Sequence, residues 1–94
     1  MKNVEIIEYY PSVEIYYKYN YLDGELHGEC ITYFRSGVVG SKCNYKDGEK
    51  HGEYIGYCPS GEIRYKYYYI NGKKVNELFW ISYNRNIKLE LLGL

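Results

Sequence analysis

Two segments of the chain carry residue types that do chemistry: "YLDGELHGEC", Tyr21 to Cys30, and "YKDGEKHGEY", Tyr45 to Tyr54. Each sets one histidine among carboxylates, His27 with Asp23, Glu25 and Glu29, and His51 with Asp47, Glu49 and Glu53. Imidazole beside carboxylate suits a zinc site or general acid–base catalysis. The same residues could instead punctuate a repeating fold. The segments are offset by 24 residues, and that spacing decides between the readings.

Written in lines of 24, the chain falls into segments 1–24, 25–48 and 49–72, with a degenerate capping segment 73–94. Glu5, Glu29, Glu53 and Glu77 share a column, as do Ile7, Ile31, Ile55 and Phe79. Tyr9, Tyr33 and Tyr57 form another, and Tyr21, Tyr45 and Tyr69 a fourth. Each line has two turn signals: "PSV", "RSG" or "PSG" first, then "LDG", "KDG" or "ING". Proline or glycine at these points suits three-residue hairpin loops, and the close turn spacing means strands rather than helices. The pattern predicts an all-β fold, a single elongated, twisted antiparallel β-meander of about eight strands built from 24-residue double-strand repeats.

Three-residue loops pair Tyr9 with Ile15, Ile7 with Tyr17, Tyr33 with Val39, Tyr57 with Ile63 and Ile55 with Tyr65. The same rule pairs Ile81 with Ile87 and Phe79 with Leu89. An even repeat then keeps odd-numbered strand residues on one apolar, tyrosine-rich face. Lys18, Lys42, Lys66 and Arg64 fall on the other. No helix is expected. Asn86 to Leu92 reads as a final capping strand, and Leu92, Gly93 and Leu94 make that end greasy.

This geometry weighs against the chemical readings. One repeat advances two strands, about 9.6 Å at about 4.8 Å per strand. Equivalent histidines that far apart cannot share one ion whose ligands lie about 2 Å from it, so no metal or other cofactor is expected. The glutamate column sits on an open sheet with no pocket to exclude water, so no catalytic residue is assigned. Cys30, Cys43 and Cys58 occupy different columns and read as free, packing thiols of a reducing compartment. Formal net charge is zero, which argues against nucleic acid as a partner. The N-terminal stretch lacks the apolar core of a signal peptide, and no run approaches the roughly 20 apolar residues that span a bilayer. A cytoplasmic protein is expected, in the host cytoplasm if a virus encodes it.

The elements "YxDGExHGE", "YxPSGEI" and "YKYYYINGK" resemble the variant MORN (membrane-occupation-and-recognition-nexus) repeat across Met1 to Gly72. Val13 departs from the pattern where a turn glycine is expected, and Val75-Asn76 stands in place of His-Gly. The resemblance implies an elongated antiparallel sheet used for binding or scaffolding. Similar small bacterial proteins are often assigned as antitoxins of toxin–antitoxin loci, and such repeats abound in giant viruses of amoebae. The family is also linked to lipid binding and dimerisation.

Independently of the family, a face on the order of 800 Å² equals one side of a standard protein interface. The chain therefore reads as a non-enzymatic protein–protein interaction or scaffolding module, binding a partner or a second copy. Its anchors would be Tyr9, Tyr33, Tyr57, Tyr65, Tyr67, Ile31 and Ile55. Packing of these rings within a curled sheet is the competing reading. The alternatives are peripheral binding to anionic lipid through Lys42, Lys46, Arg64, Lys66, Lys73 and Lys74, or antitoxin-like neutralisation of a partner protein.

Overall fold

The structure is a computed structural model that describes residues 2–91 and 93. Nine strands and one helix follow in order: β1 (Asn3–Tyr9), β2 (Ile15–Leu22), β3 (Glu25–Leu26), β4 (Gly28–Tyr33), β5 (Val39–Lys46), β6 (Glu49–Lys50), β7 (Gly52–Tyr57), β8 (Ile63–Ile70), β9 (Lys73–Val75) and α1 (Glu77–Leu91). All strands join one antiparallel sheet in the order β1-β2-β4-β5-β7-β8-β9. The short strands β3 and β6 lie beside β2 and β5. The path is open, so it is a meander and not a barrel.

Two kinds of turn build it. Cys58 and Gly61 close the "PSG" loop, with the Cys58 N–H on Glu62 O and the Gly61 N–H on Cys58 O, both at 2.8 Å. Gly37 and Gly61 take φ of 91° and 93° there. The second kind is tighter than the three residues expected. Lys46 pairs directly with Glu49, leaving Asp47 and Gly48 as a two-residue loop with φ of 51° and 83°. Positive φ at both central residues is a type I′ turn, whose twist matches the flanking strands and which Asp-Gly and Asn-Gly favour. Asp23-Gly24 and Asn71-Gly72 repeat it.

The expected register holds at the loop ends and fails one step further in. Tyr9 pairs with Ile15, Tyr33 with Val39 and Tyr57 with Ile63. Beyond those pairs, Ile7 faces Lys18 and Ile55 faces Lys66, where Tyr17 and Tyr65 were expected. A β-bulge in each hairpin causes the slip: Tyr16, Gly40 and Arg64 are the residues skipped. One extra residue moves every later side chain to the opposite face. Odd-numbered residues therefore do not share a face throughout. Even positions of β1, β4 and β7 instead lie with odd positions of β2, β5 and β8.

The second correction is the C-terminus, where a helix replaces the expected strands and their Phe79–Leu89 and Ile81–Ile87 pairs. Gly28 and Gly52 enter their strands at φ of 80° and 98°. The equivalent position is Asn76, whose side chain costs more in that conformation. Asn76 instead caps the helix, its Oδ1 accepting from the Phe79 N–H at 2.8 Å, and Glu77 lies favourably in the first turn. Leu92 and Leu94, read as part of a greasy end, lie outside the described residues.

Little is buried. Among the described residues the only buried apolar ones are Cys30 and Cys43, at 4% and 8% exposure. The radius of gyration is 15.5 Å, against about 12 Å for a compact domain of this length. The accessible surface is 6817 Å², against about 5700 Å² for a compact monomer of 11.2 kDa. Among the described residues the sheet has no second layer.

Val13 occupies the loop position of Gly37 and Gly61 at φ 76° and is 82% exposed. A left-handed conformation costs an L-residue about 1–2 kcal/mol, and a β-branched residue is especially unsuited to it. Val13→Gly is therefore expected to stabilise the fold by about 1 kcal/mol, raising the melting temperature by roughly 4–8 °C. An unchanged or lower melting temperature would show that the first hairpin turns differently.

Candidate functional site

The bulged register assembles a tyrosine face. From β1 to β8 it runs through Val4, Ile6 and Glu8; Tyr17, Tyr19 and Tyr21; Gly28, Cys30 and Thr32; Ser41, Cys43 and Tyr45; Gly52, Tyr54 and Gly56; and Tyr65, Tyr67 and Tyr69. Small residues fill its middle and rings flank them. A Cβ added at Gly56 would collide with the Tyr65 ring, so that ring lies flat across the glycine. Tyr54 stacks on Tyr65 at 6.1 Å and Tyr65 on Tyr67 at 5.1 Å. On the other flank Tyr17 meets Tyr19 edge-on at 4.7 Å, and Tyr19 meets Tyr21 at 5.8 Å. Lys74 sits 3.6 Å from the Tyr67 ring centre, and Lys50 lies about equally over Tyr54 and Tyr69. None of these rings is buried. Each packs on its neighbour and keeps an outer surface, suiting aromatic contact with a partner.

At the centre, Cys30 and Cys43 face each other across β4 and β5 as free thiols. The Tyr17 hydroxyl donates to Cys30 Sγ at 3.9 Å, and Thr32 shares a 2.6 Å hydrogen bond with Ser41. Burial pushes the Cys43 thiol up to about 12, with the neighbouring Cys30 adding to it. Burial also raises Cys30, partly offset by hydrogen bonds from Tyr17 and Cys43. Tyr17, Tyr45 and Tyr54 are raised for the same first cause. The centre of this face favours neutral groups.

The opposite face is ionic. Glu5, Glu29 and Glu53 alternate with Lys18, Lys42 and Lys66 around Ile7, Ile31 and Ile55. Lys66 pairs with Glu53 at 3.4 Å, which raises the lysine's pKa. The structure thus divides the expected anchors. Tyr65 and Tyr67 belong to the tyrosine face, whereas Ile31 and Ile55 are on the ionic face. Tyr33 lies there under Lys18, and Tyr57 lies there beside Val39 and Lys42. Tyr9, 57% exposed, follows Glu8 and shares the ionic side. Of the basic set, Lys42, Lys46, Lys66 and Lys73 share the ionic face, Lys74 lies on the other, and Arg64 is the bulged residue between Ile63 and Tyr65.

Sequence reasoning kept Tyr17, Tyr19, Tyr21, Tyr45 and Tyr69 on the odd-numbered face without naming them as anchors, and it put Tyr54 on the opposite face. The available signal was the opposition of small residues to rings, Gly56 to Tyr65 above all, which only the bulged pairing produces.

The histidines behave as punctuation. The backbone N–H groups of His27 and His51 donate to Asn20 O and Asn44 O at 2.9 Å, where the chain leaves β3 and β6. His51 accepts from the Asn71 N–H at 3.4 Å, and the Trp80 and Tyr83 rings of α1 pack edge-on to it at 5.9 Å. That burial lowers its pKa, with Lys46 adding to the effect. His27 lines a shallow depression of about 400 Å³ with Leu22, Asp23, Glu25 and Asp47. Among the described residues no three histidine, cysteine or acidic side chains converge as metal ligands. None of the described helices is long and apolar enough to cross a membrane. No family model, curated protein or solved structure matches the chain.

The thiols give a pH signature. The folded chain keeps protons on Cys43 that an unfolded thiol releases above its ordinary value of 9.0. Stability is therefore full below pH 9 and falls as pH rises toward 12. Thermal melts across pH 7–11 should show this fall, and Cys43→Ser should make it shallower, the remainder belonging to Cys30 and the half-buried tyrosines. Melting temperatures level to pH 11 would contradict the burial of this pair.

Proposed function

We propose that the chain is a non-enzymatic protein-interaction module that takes a partner protein on its tyrosine face. One observation carries the reading: eight tyrosines line one side of a single-layer sheet, and α1 packs against His51 and Tyr68 rather than across them. Contiguous aromatic surface of this kind is unusual on a soluble monomer and typical of interface centres, where tyrosine often anchors binding. The resemblance to the variant MORN repeat supports the same scaffolding role. Antitoxin-like neutralisation would be one form of it, with the partner inactivated by being held.

Peripheral attachment to an anionic lipid surface is a second reading, supported by four of the six basic residues sharing the ionic face. The glutamates interleaved there weaken it, because surface attraction depends on unneutralised charge.

Capture from cells that express the protein tests the first reading, with Tyr67→Lys and Tyr57→Lys variants that retain the wild-type circular dichroism. A partner protein retained by wild type and Tyr57→Lys but lost by Tyr67→Lys, at least tenfold, is the expected result. Retention by Tyr67→Lys with loss from Tyr57→Lys would move the site to the ionic face. Salt-sensitive flotation with acidic vesicles, and no protein captured, would favour the lipid reading.

A further inference from the structure

The two outer strands leave hydrogen-bonding edges open. Among the described residues β1 pairs only with β2, and nothing pairs its other edge along Asn3–Tyr9. β8 pairs with β9 only through Tyr68, Tyr69 and Ile70, which leaves Ile63 to Tyr67 without a neighbour on that side among the described residues. The interior of the sheet shows what is missing there. β5 takes β6 on Tyr45 and Lys46, then β7 on Ser41 and Lys42. β2 takes β3 on Tyr21 and Leu22, then β4 on Tyr17 and Lys18. β8 takes β9 in the same manner, but the chain then turns into α1, and no described residue takes the adjoining place. Ile63, Arg64, Lys66 and Tyr67 remain exposed beside it, Ile63 at 58% and Tyr67 at 38%.

The edges are oppositely charged. β1 carries Glu5 and Glu8 with no base, and the open stretch of β8 carries Arg64 and Lys66 with no acid. Two β1 edges would repel each other, and so would two β8 edges. One of each attracts, in the way exposed edges are directed toward some partners and away from others. The register is also prefigured. Lys18 faces Ile31 and Lys42 faces Ile55, so the next member of the series is Lys66 facing an isoleucine that the chain itself does not supply. Ile7 of a second copy has the matching neighbours.

We propose that β1 of one molecule adds antiparallel to the open edge of β8 of another, with Ile7 opposite Lys66 and Glu8 opposite Tyr65, the pairing running over Ile6–Tyr9 and parting where β9 takes Tyr68. The contact is head-to-tail, so each addition leaves one free β1 and one free β8, and growth continues past the dimer. This surface is distinct from the tyrosine face, which stays available for a partner along the whole assembly.

Sedimentation over a concentration series, in low and high salt, tests this with two charge-reversed variants. One is Glu5→Lys with Glu8→Lys, and the other is Arg64→Glu; both are checked for wild-type circular dichroism. The wild type should form species larger than two copies that shrink in high salt, and each variant alone should lose association at least tenfold. Mixing the variants should restore it, since each then offers the edge the other lacks. A wild type that stays monomeric at hundreds of micromolar would overturn the proposal. So would a dimer that does not extend, or association that both variants keep, which would assign self-association to the tyrosine face.

Discussion

A single sheet with no covering layer has to find its cohesion within itself, and here it does so by laying aromatic rings sideways across small residues. Tyr65 lies flat over Gly56, and Tyr17 reaches the Cys30 sulfur. The Cys30–Cys43 pair between these flanks is the only buried apolar pair among the described residues. Larger side chains at these small positions would lift the rings off the sheet. The cross-strand aromatic contacts that stabilise a pleated surface would go with them. The same arrangement explains why the tyrosines are half-buried rather than hidden. Each is packed from below and beside, and open from above.

That constraint links fold to function. A conventional domain consumes its apolar surface in a core, but this one exposes about a fifth more area than a compact protein of its mass. Rings held by their neighbours have little freedom left to lose in any further contact. The ionic face has the opposite character. Its glutamates and lysines alternate around isoleucines, and the Lys66–Glu53 pair is exposed enough to contribute little to stability. Its value is in keeping that side solvated.

The turn positions, and the strand order as far as β8, were legible from the chain because glycine, proline and Asp-Gly act locally. Asp47-Gly48 needs nothing beyond its own φ angles to reverse the strand. The register was not legible, because a bulge adds one residue without leaving a compositional mark. Tyr16, Gly40 and Arg64 have nothing in common except their place after a loop. The cost was large for the site: one slipped residue per hairpin dispersed the expected anchors over two faces. The helix was hidden for a different reason. Continuing the repeat past Gly72 extends a column pattern, while the side chain at position 76 is an asparagine that caps a helix where the earlier repeats have glycine. Trp80 then stacks on Tyr68 rather than entering the sheet.

The central claim is that the tyrosine face is a surface occupied by another protein. Tyrosine iodination read by mass spectrometry, on the protein in its own cells and after purification, tests that most directly. The account predicts that Tyr19, Tyr67 and Tyr69 are shielded in the cell and labelled when purified, while Tyr9, Tyr57 and Tyr68 label alike in both. Equal labelling of all six in both states would contradict it, leaving the rings as packing within the sheet alone.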